Sequence, residues 1–204
     1  MKHWLPLAAA LLLAACATPR APQTAPPDAA RTEAWIAHHA ALAEISGFRL
    51  SGRVSSDAAT GSARLSWTQD GERFRARAAG PFGSGAVGLS GTPEAVHIRS
   101  GEQQITTDRP ELWMLRQLGW SLPVAGLRYW ALGAPHPGIP ARYRFDEAGR
   151  LAQLRQSGWR IVYGDYAQKE GLALPHRIHL HGPDSGILLR IDAWQAIERE
   201  RAQG

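Results

Sequence analysis

Ala63–Ala78 reads ARLSWTQDGERFRARA, and its alternation decides the fold class. Ala63, Leu65 and Trp67 alternate with Arg64, Ser66 and Thr68. After Asp70-Gly71, a strong hairpin dipeptide, Phe74, Ala76 and Ala78 alternate with Arg73, Arg75 and Arg77. Successive side chains on a strand point to opposite faces. The stretch is therefore a hairpin with one apolar and one arginine-rich face, the mark of a half-buried antiparallel sheet.

The same period continues on both sides. Upstream, Phe48, Leu50, Gly52 and Val54 alternate with Arg49, Ser51, Arg53 and Ser55. Downstream, strands are expected near Ala86–Gly91, Ala95–Arg99 and Gln103–Thr106. After a helical interruption they resume at Tyr143 and Phe145, Leu151–Gln156, Trp159–Tyr166, Ile178 with Leu180, and Ile187 to Ala193, the last two flanking a Gly182–Gly186 turn. This predicts a mainly β chain of about eleven antiparallel strands joined by short turns, curled or closed on its apolar face. Ile197–Gly204 reads as a polar, frayed tail.

Three stretches carry a helical period. Thr32–Ser46 places Trp35, Ile36, His39, Leu42 and Ile45 on one stripe, with Gly47 just past its end. Thr107-Asp108-Arg109-Pro110-Glu111 starts a second helix that Gly119 ends, and a third runs from about Pro123 to Leu132.

The N-terminus reads as an address. Lys2 and His3 precede an apolar run from Trp4 to Ala15, too short to span a bilayer as a helix. Leu13-Ala14-Ala15-Cys16 resembles the bacterial lipobox, which implies cleavage before Cys16 and acylation of that residue. Residues 1–15 are then a lipoprotein signal peptide. Residues 16–31, rich in alanine and proline, are the acylated cysteine and a linker. Residues 32–204 are one folded domain, whose length suits a sizeable core. Two or three acyl chains hold a protein stably to a membrane without crossing it.

Composition narrows the function. The formal net charge is +5, mostly from arginine. Such an excess suits an anionic lipid surface or an acidic protein partner. Export, and the lack of RNA-binding or zinc-finger patterns, exclude nucleic acid. Cys16 is the one cysteine, so the fold uses no disulfide. Eight tryptophans serve either a bulky core or a large aromatic-lined cavity.

No catalytic set is legible. Ser84 lies between glycines, but Phe82 and Ala86 occupy the positions where a nucleophile elbow needs glycine. His179 and His181 alternate with Ile178 and Leu180, so they face solvent, and no metal or cofactor is expected. Phe82 is the residue that resists a bland reading. It stands in Gly80-Pro81-Phe82-Gly83-Ser84-Gly85, where little material is available to cover its ring. Either it tucks back into the mouth of the sheet or it is an exposed apolar tip that touches a membrane or a lipid.

Taken in order, the pieces resemble the LolB family of outer-membrane lipoproteins. They are the lipobox, Trp35 with His38 and His39, the Phe48–Val54 strand with Gly52-Arg53, Trp67-Thr68-Gln69, and Gly80-Pro81-Phe82-Gly83-Ser84. Leu118-Gly119-Trp120 with Leu122-Pro123, Tyr129-Trp130-x-Leu132-Gly133, Gln156-x-Gly158-Trp159 with Val162-Tyr163, Leu174-Pro175 and Ile191-x-x-Trp194 complete the set. The resemblance implies an incomplete antiparallel barrel whose helices cover the mouth of an apolar cavity. It implies a non-enzymatic, monomeric receptor anchored at Cys16 to the periplasmic face of the outer membrane. Such a receptor accepts acylated lipoprotein cargo from the periplasmic carrier LolA and inserts it into the inner leaflet. The loop Pro81, Phe82 and Gly83 takes the place of the family's membrane-insertion loop, usually led by leucine. Ala17 after the acylated cysteine agrees with outer-membrane sorting. Candidate acyl-chain residues are Trp67, Phe74, Leu89, Trp113, Leu115, Trp120, Trp130 and Trp159. The competing readings are a structural envelope lipoprotein and a lipid-modifying enzyme with a lipocalin-like pocket.

Overall fold

The computed structural model describes residues 27–183 and 185–199, with side-chain surroundings from residue 30 onward. The signal peptide, Cys16, the linker through Pro26, Asp184 of the predicted turn and residues 200–204 lie outside the described residues.

The described chain runs α1 (Pro27–Ala43), β1 (Ile45–Ser56), β2 (Ala63–Asp70), β3 (Arg73–Ala79), β4 (Val87–Thr92), β5 (Ala95–Ser100) and β6 (Gln103–Thr107). It continues with α2 (Pro110–Leu118), α3 (Val124–Trp130), β7 (Ala141–Phe145), β8 (Leu151–Gln156), β9 (Trp159–Lys169), β10 (Leu172–His181) and β11 (Gly186–Arg199). The eleven strands form one antiparallel sheet in the order β6-β5-β4-β3-β2-β1-β11-β10-β9-β8-β7. Two meanders of neighbouring strands are thus joined at a single seam, where β1 pairs with β11. The sheet stays open between β6 and β7, and α2 and α3 connect those two edges. The expected mainly β, incomplete barrel is the observed one. All five residues of β6, Gln-Gln-Ile-Thr-Thr, are exposed or half-buried, and such a short polar edge resists pairing with a second chain.

Alternation does the folding work. Leu65, Trp67, Phe74, Ala76, Leu89, Val96 and Ile98 are buried, while Arg64, Arg73, Arg75, Arg77 and Arg99 are exposed. On the other meander Leu154, Ile161, Ile178 and Leu180 are fully buried. Each such side chain contributes roughly 1.5–3 kcal/mol by leaving water.

Three expectations shift at the ends. α1 begins at Pro27 rather than Thr32, because Pro27 fits a first helical turn and Ala29-Ala30 favour its continuation. Its residues 27–31 are therefore helical rather than linker. Trp35 and Leu42 are buried, but Ile36, one position off their stripe, is 63% exposed. Gly47 does not end the helix. It lies within β1, where a Cβ would approach the Gln69 carbonyl oxygen to 2.8 Å. The tail is strand as far as Arg199, because Phe48 pairs with Ile197 and Ile45 with Arg199.

Candidate functional site

The apolar face of β1–β4 is not filled by the sheet's own side chains. β2 and β3 turn Trp67 and Phe74 inward, their rings stacked with centroids 5.0 Å apart. The Trp67 indole N–H donates to Gln69 Oε1 at 2.9 Å, and Gln69 Nε2 donates to the Gly71 carbonyl at 2.9 Å. That chain satisfies the buried Gln69 and fixes the indole plane.

Above this face lie α2 and α3. Proline at its first turn starts α2, and Gly119 in the left-handed conformation ends it with φ 75°. The Val124 N–H, at the start of α3, donates to Glu111 Oε1 on α2 at 2.9 Å. A carboxylate is favoured at a helix N-terminus, so this bond locks the two helices as a pair. Met114 and Leu118 of α2, Val124 of α3 and Leu122 between them face the sheet.

Between sheet and helices a cavity of about 410 Å³ remains. Its walls include Leu65, Trp67, Phe74, Ala76, Ala78, Val87, Leu89 and Trp120, and none of its lining side chains ionises. Residues 59–62 and the Gly80–Gly85 loop form its rim. Such a space suits an extended apolar ligand, and no ionisable side chain stands beside its serine and threonine hydroxyls to act as acid or base.

The predicted cavity residues divide. Trp67, Phe74, Leu89 and Trp120 meet around the space. Trp113 and Leu115 are half-buried on α2 but are not in its lining. Trp130 is buried beneath α3, folded back on Gly126, and its indole N–H donates to Gln156 Oε1 at 2.8 Å. Trp159 stands against Trp130 at 6.4 Å beside the distant β7–β9 edge. The sequence names Gln156 only as part of a run and gives it no role, yet it is buried and fully used. Its Oε1 also accepts the His136 N–H, and its Nε2 donates to the His136 and Ile139 carbonyls. Sequence reasoning also missed Leu65, Ala76 and Ala78, which share the face of Trp67 and Phe74 and were legible from parity alone.

The rim loop holds Phe82 in the open. Its ring is fully exposed, at 106% of its reference area. Its backbone is left-handed, φ 55° and ψ 20°, an uncommon and strained state for a bulky residue. The loop enforces that state. Gly80 N–H donates to the Ser84 carbonyl at 2.8 Å, Gly83 N–H to the Gly80 carbonyl at 3.1 Å, and Ser84 N–H to the Pro81 carbonyl at 3.1 Å. The Ser84 hydroxyl donates to the Pro81 carbonyl as well, at 2.8 Å. Of the two sequence readings, the ring does not tuck back.

His179 and His181 stack on the outer face of β10, with centroids 6.3 Å apart. Partial burial, then the neighbouring His181, Arg177 and Arg190, lower the pKa of His179. His176 Nδ1 donates to the Ile191 carbonyl at 2.8 Å.

The family model for outer membrane lipoprotein LolB matches residues 46–194, well over half of the chain. The chain belongs to the LolB family. An outer-membrane lipoprotein LolB from Stutzerimonas stutzeri is 38% identical over 198 residues, covering 96% of each chain. One from Nitrosococcus oceani is 43% identical over 192 residues, covering 91% of this chain and 92% of its own. Among solved structures, a LolA superfamily protein from Nitrosomonas europaea aligns at TM-score 0.48 and 8% identity, over 83% of this chain and 93% of its own. The LolB match spans every strand that borders the cavity, together with α2, α3 and the Phe82 loop.

Proposed function

We propose that the chain is an outer-membrane receptor in lipoprotein localisation, anchored through Cys16 on the periplasmic side. It takes the acyl chains of a lipoprotein into the cavity beneath α2 and α3 and passes them to the inner leaflet at the Phe82 loop. The observation that carries this reading is the joint placement of an uncharged apolar cavity and a fully exposed phenylalanine on its rim.

The physics favours such a path. A triacylated lipoprotein carries on the order of forty methylenes, each worth about 0.8 kcal/mol on leaving water. Release into the periplasm is excluded, so each acceptor must meet the donor directly. The donor is the carrier LolA, and the last acceptor is the bilayer. Transfer needs no nucleotide if each site binds more tightly than the one before, because differential affinity alone moves an equilibrium. Trp67, Phe74, Leu89 and Trp120 give the chains an apolar wall. Trp113, Leu115, Trp130 and Trp159 support the helices and the far half of the sheet instead.

The test uses the chain without residues 1–16, which precede the described core of Trp35 to Trp194. LolA loaded with a triacylated lipoprotein is mixed with this chain, and vesicles are then added. The expected result is cargo on the chain before vesicles and on the vesicles afterwards. Cargo that stays on LolA would remove the receptor reading and leave the structural lipoprotein.

A further inference from the structure

The outer face of the same sheet carries a basic groove. β4 places small residues, Gly88 and Ser90, between Arg75 and Arg77 on β3 and His97 and Arg99 on β5. A Cβ at Gly88 would meet nothing within 4 Å, so the middle strand forms a floor and the long side chains form walls. The groove encloses about 1110 Å³, and three arginines and a histidine line it with no carboxylate among them. Ion pairs hold Arg53, Arg150, Lys169 and Arg177 elsewhere in the chain, and among the described residues none involves Arg75, Arg77 or Arg99. Facing rows of basic side chains without a carboxylate in the lining suit phosphate oxygens, which arginine engages in bidentate fashion.

Position identifies the occupant. Gly83, Gly85 and Ala86, which follow Phe82 directly, close one end of the groove. The Phe82 loop therefore stands between the apolar cavity on one face and the basic groove on the other. We propose that this groove binds the phosphates of anionic lipid headgroups and seats the domain on the membrane that Phe82 enters. The proposal rests on the reading of Phe82 as a membrane tip.

The experiment measures sedimentation of the chain lacking residues 1–16 with two kinds of vesicle. One is phosphatidylcholine alone and the other contains phosphatidylglycerol, each at low and high salt. Each basic side chain near an anionic surface strengthens binding about fivefold, so Arg77→Gln with Arg99→Gln is expected to weaken binding to phosphatidylglycerol vesicles roughly 25-fold at low salt. Binding to neutral vesicles should not change in that double variant, and salt should erase the difference. Arg142→Gln with Arg155→Gln, at the far edge of the sheet, removes the same charge and should cost much less. Equal losses in the two double variants would overturn the proposal, because net charge rather than the groove would then act. So would normal vesicle binding by the groove variant combined with poor cargo uptake from LolA, which would assign the groove to the carrier. Failure of the Phe82 reading is separately visible, as unchanged neutral-vesicle binding by Phe82→Glu.

Discussion

Phe82→Glu is expected to accept cargo from the carrier and then fail to deliver it. The ring touches nothing in its own domain, so its loss leaves the fold intact, with a stability change within about 0.5 kcal/mol. The loop's hydrogen bonds all come from Gly80, Pro81, Gly83 and Ser84, so its shape also survives. On the proposed role, what disappears is the transfer of a phenylalanine side chain into lipid, worth roughly 1.5–3 kcal/mol. The glutamate adds a charge that resists desolvation. Delivery to vesicles should fall at least tenfold while uptake stays near wild type. The two steps are read separately by adding LolA-bound cargo first and vesicles second. Equal delivery by both forms would make Phe82 an incidental exposed residue, and its strained backbone would lose its explanation.

Gly52→Ala is expected to produce the largest loss of stability. Gly52 is buried in β1 at a register shift against β11, where the backbones come unusually close. A Cβ there would overlap the Arg190 carbonyl oxygen and approach the Ile191 Cα to 3.0 Å. Both obstacles are backbone, so no rotamer change relieves them. The seam is also the one place where the two meanders of the sheet join. Overpacking costs typically 1–3 kcal/mol when side chains can adjust, and more when they cannot. A loss of about 4 kcal/mol is expected, which for a domain of this size lowers the thermal midpoint by roughly 10 °C. Gly88→Ala is the internal comparison, since its Cβ would enter open space, and it should change stability by less than about 1 kcal/mol. Similar midpoints for the two variants would contradict the seam argument.

Much of this architecture was legible because period-2 alternation is a local signal. Arg73-Phe74-Arg75-Ala76-Arg77 declares its two faces without help from the rest of the chain. Phe82 was legible as a misfit, because no neighbour in its loop has the bulk to cover it. The cavity was only half legible. Trp67, Phe74 and Leu89 could be placed by strand parity, but neither parity nor helical period says which half of a sheet a ring such as Trp130 or Trp159 serves. The role of Trp130 depends on Gln156, twenty-six residues away, and no local pattern joins an indole to an amide at that separation. Gly47 and Gly52 carry the same lesson. A glycine after a helix suggests a cap, whereas here both sit where strands approach too closely for a side chain.

The central claim, that the space beneath α2 and α3 receives acyl chains, is met most directly by filling it. Ala78 is half-buried on β3 and lines the cavity. Ala78→Trp puts an apolar indole there without introducing a charge. The measurement is the fraction of triacylated lipoprotein taken from LolA by this variant, in the absence of membranes and after a thermal melt has established that it folds. The account predicts a folded protein whose uptake falls at least tenfold below wild type. A folded Ala78→Trp variant that takes cargo as readily as wild type would contradict it.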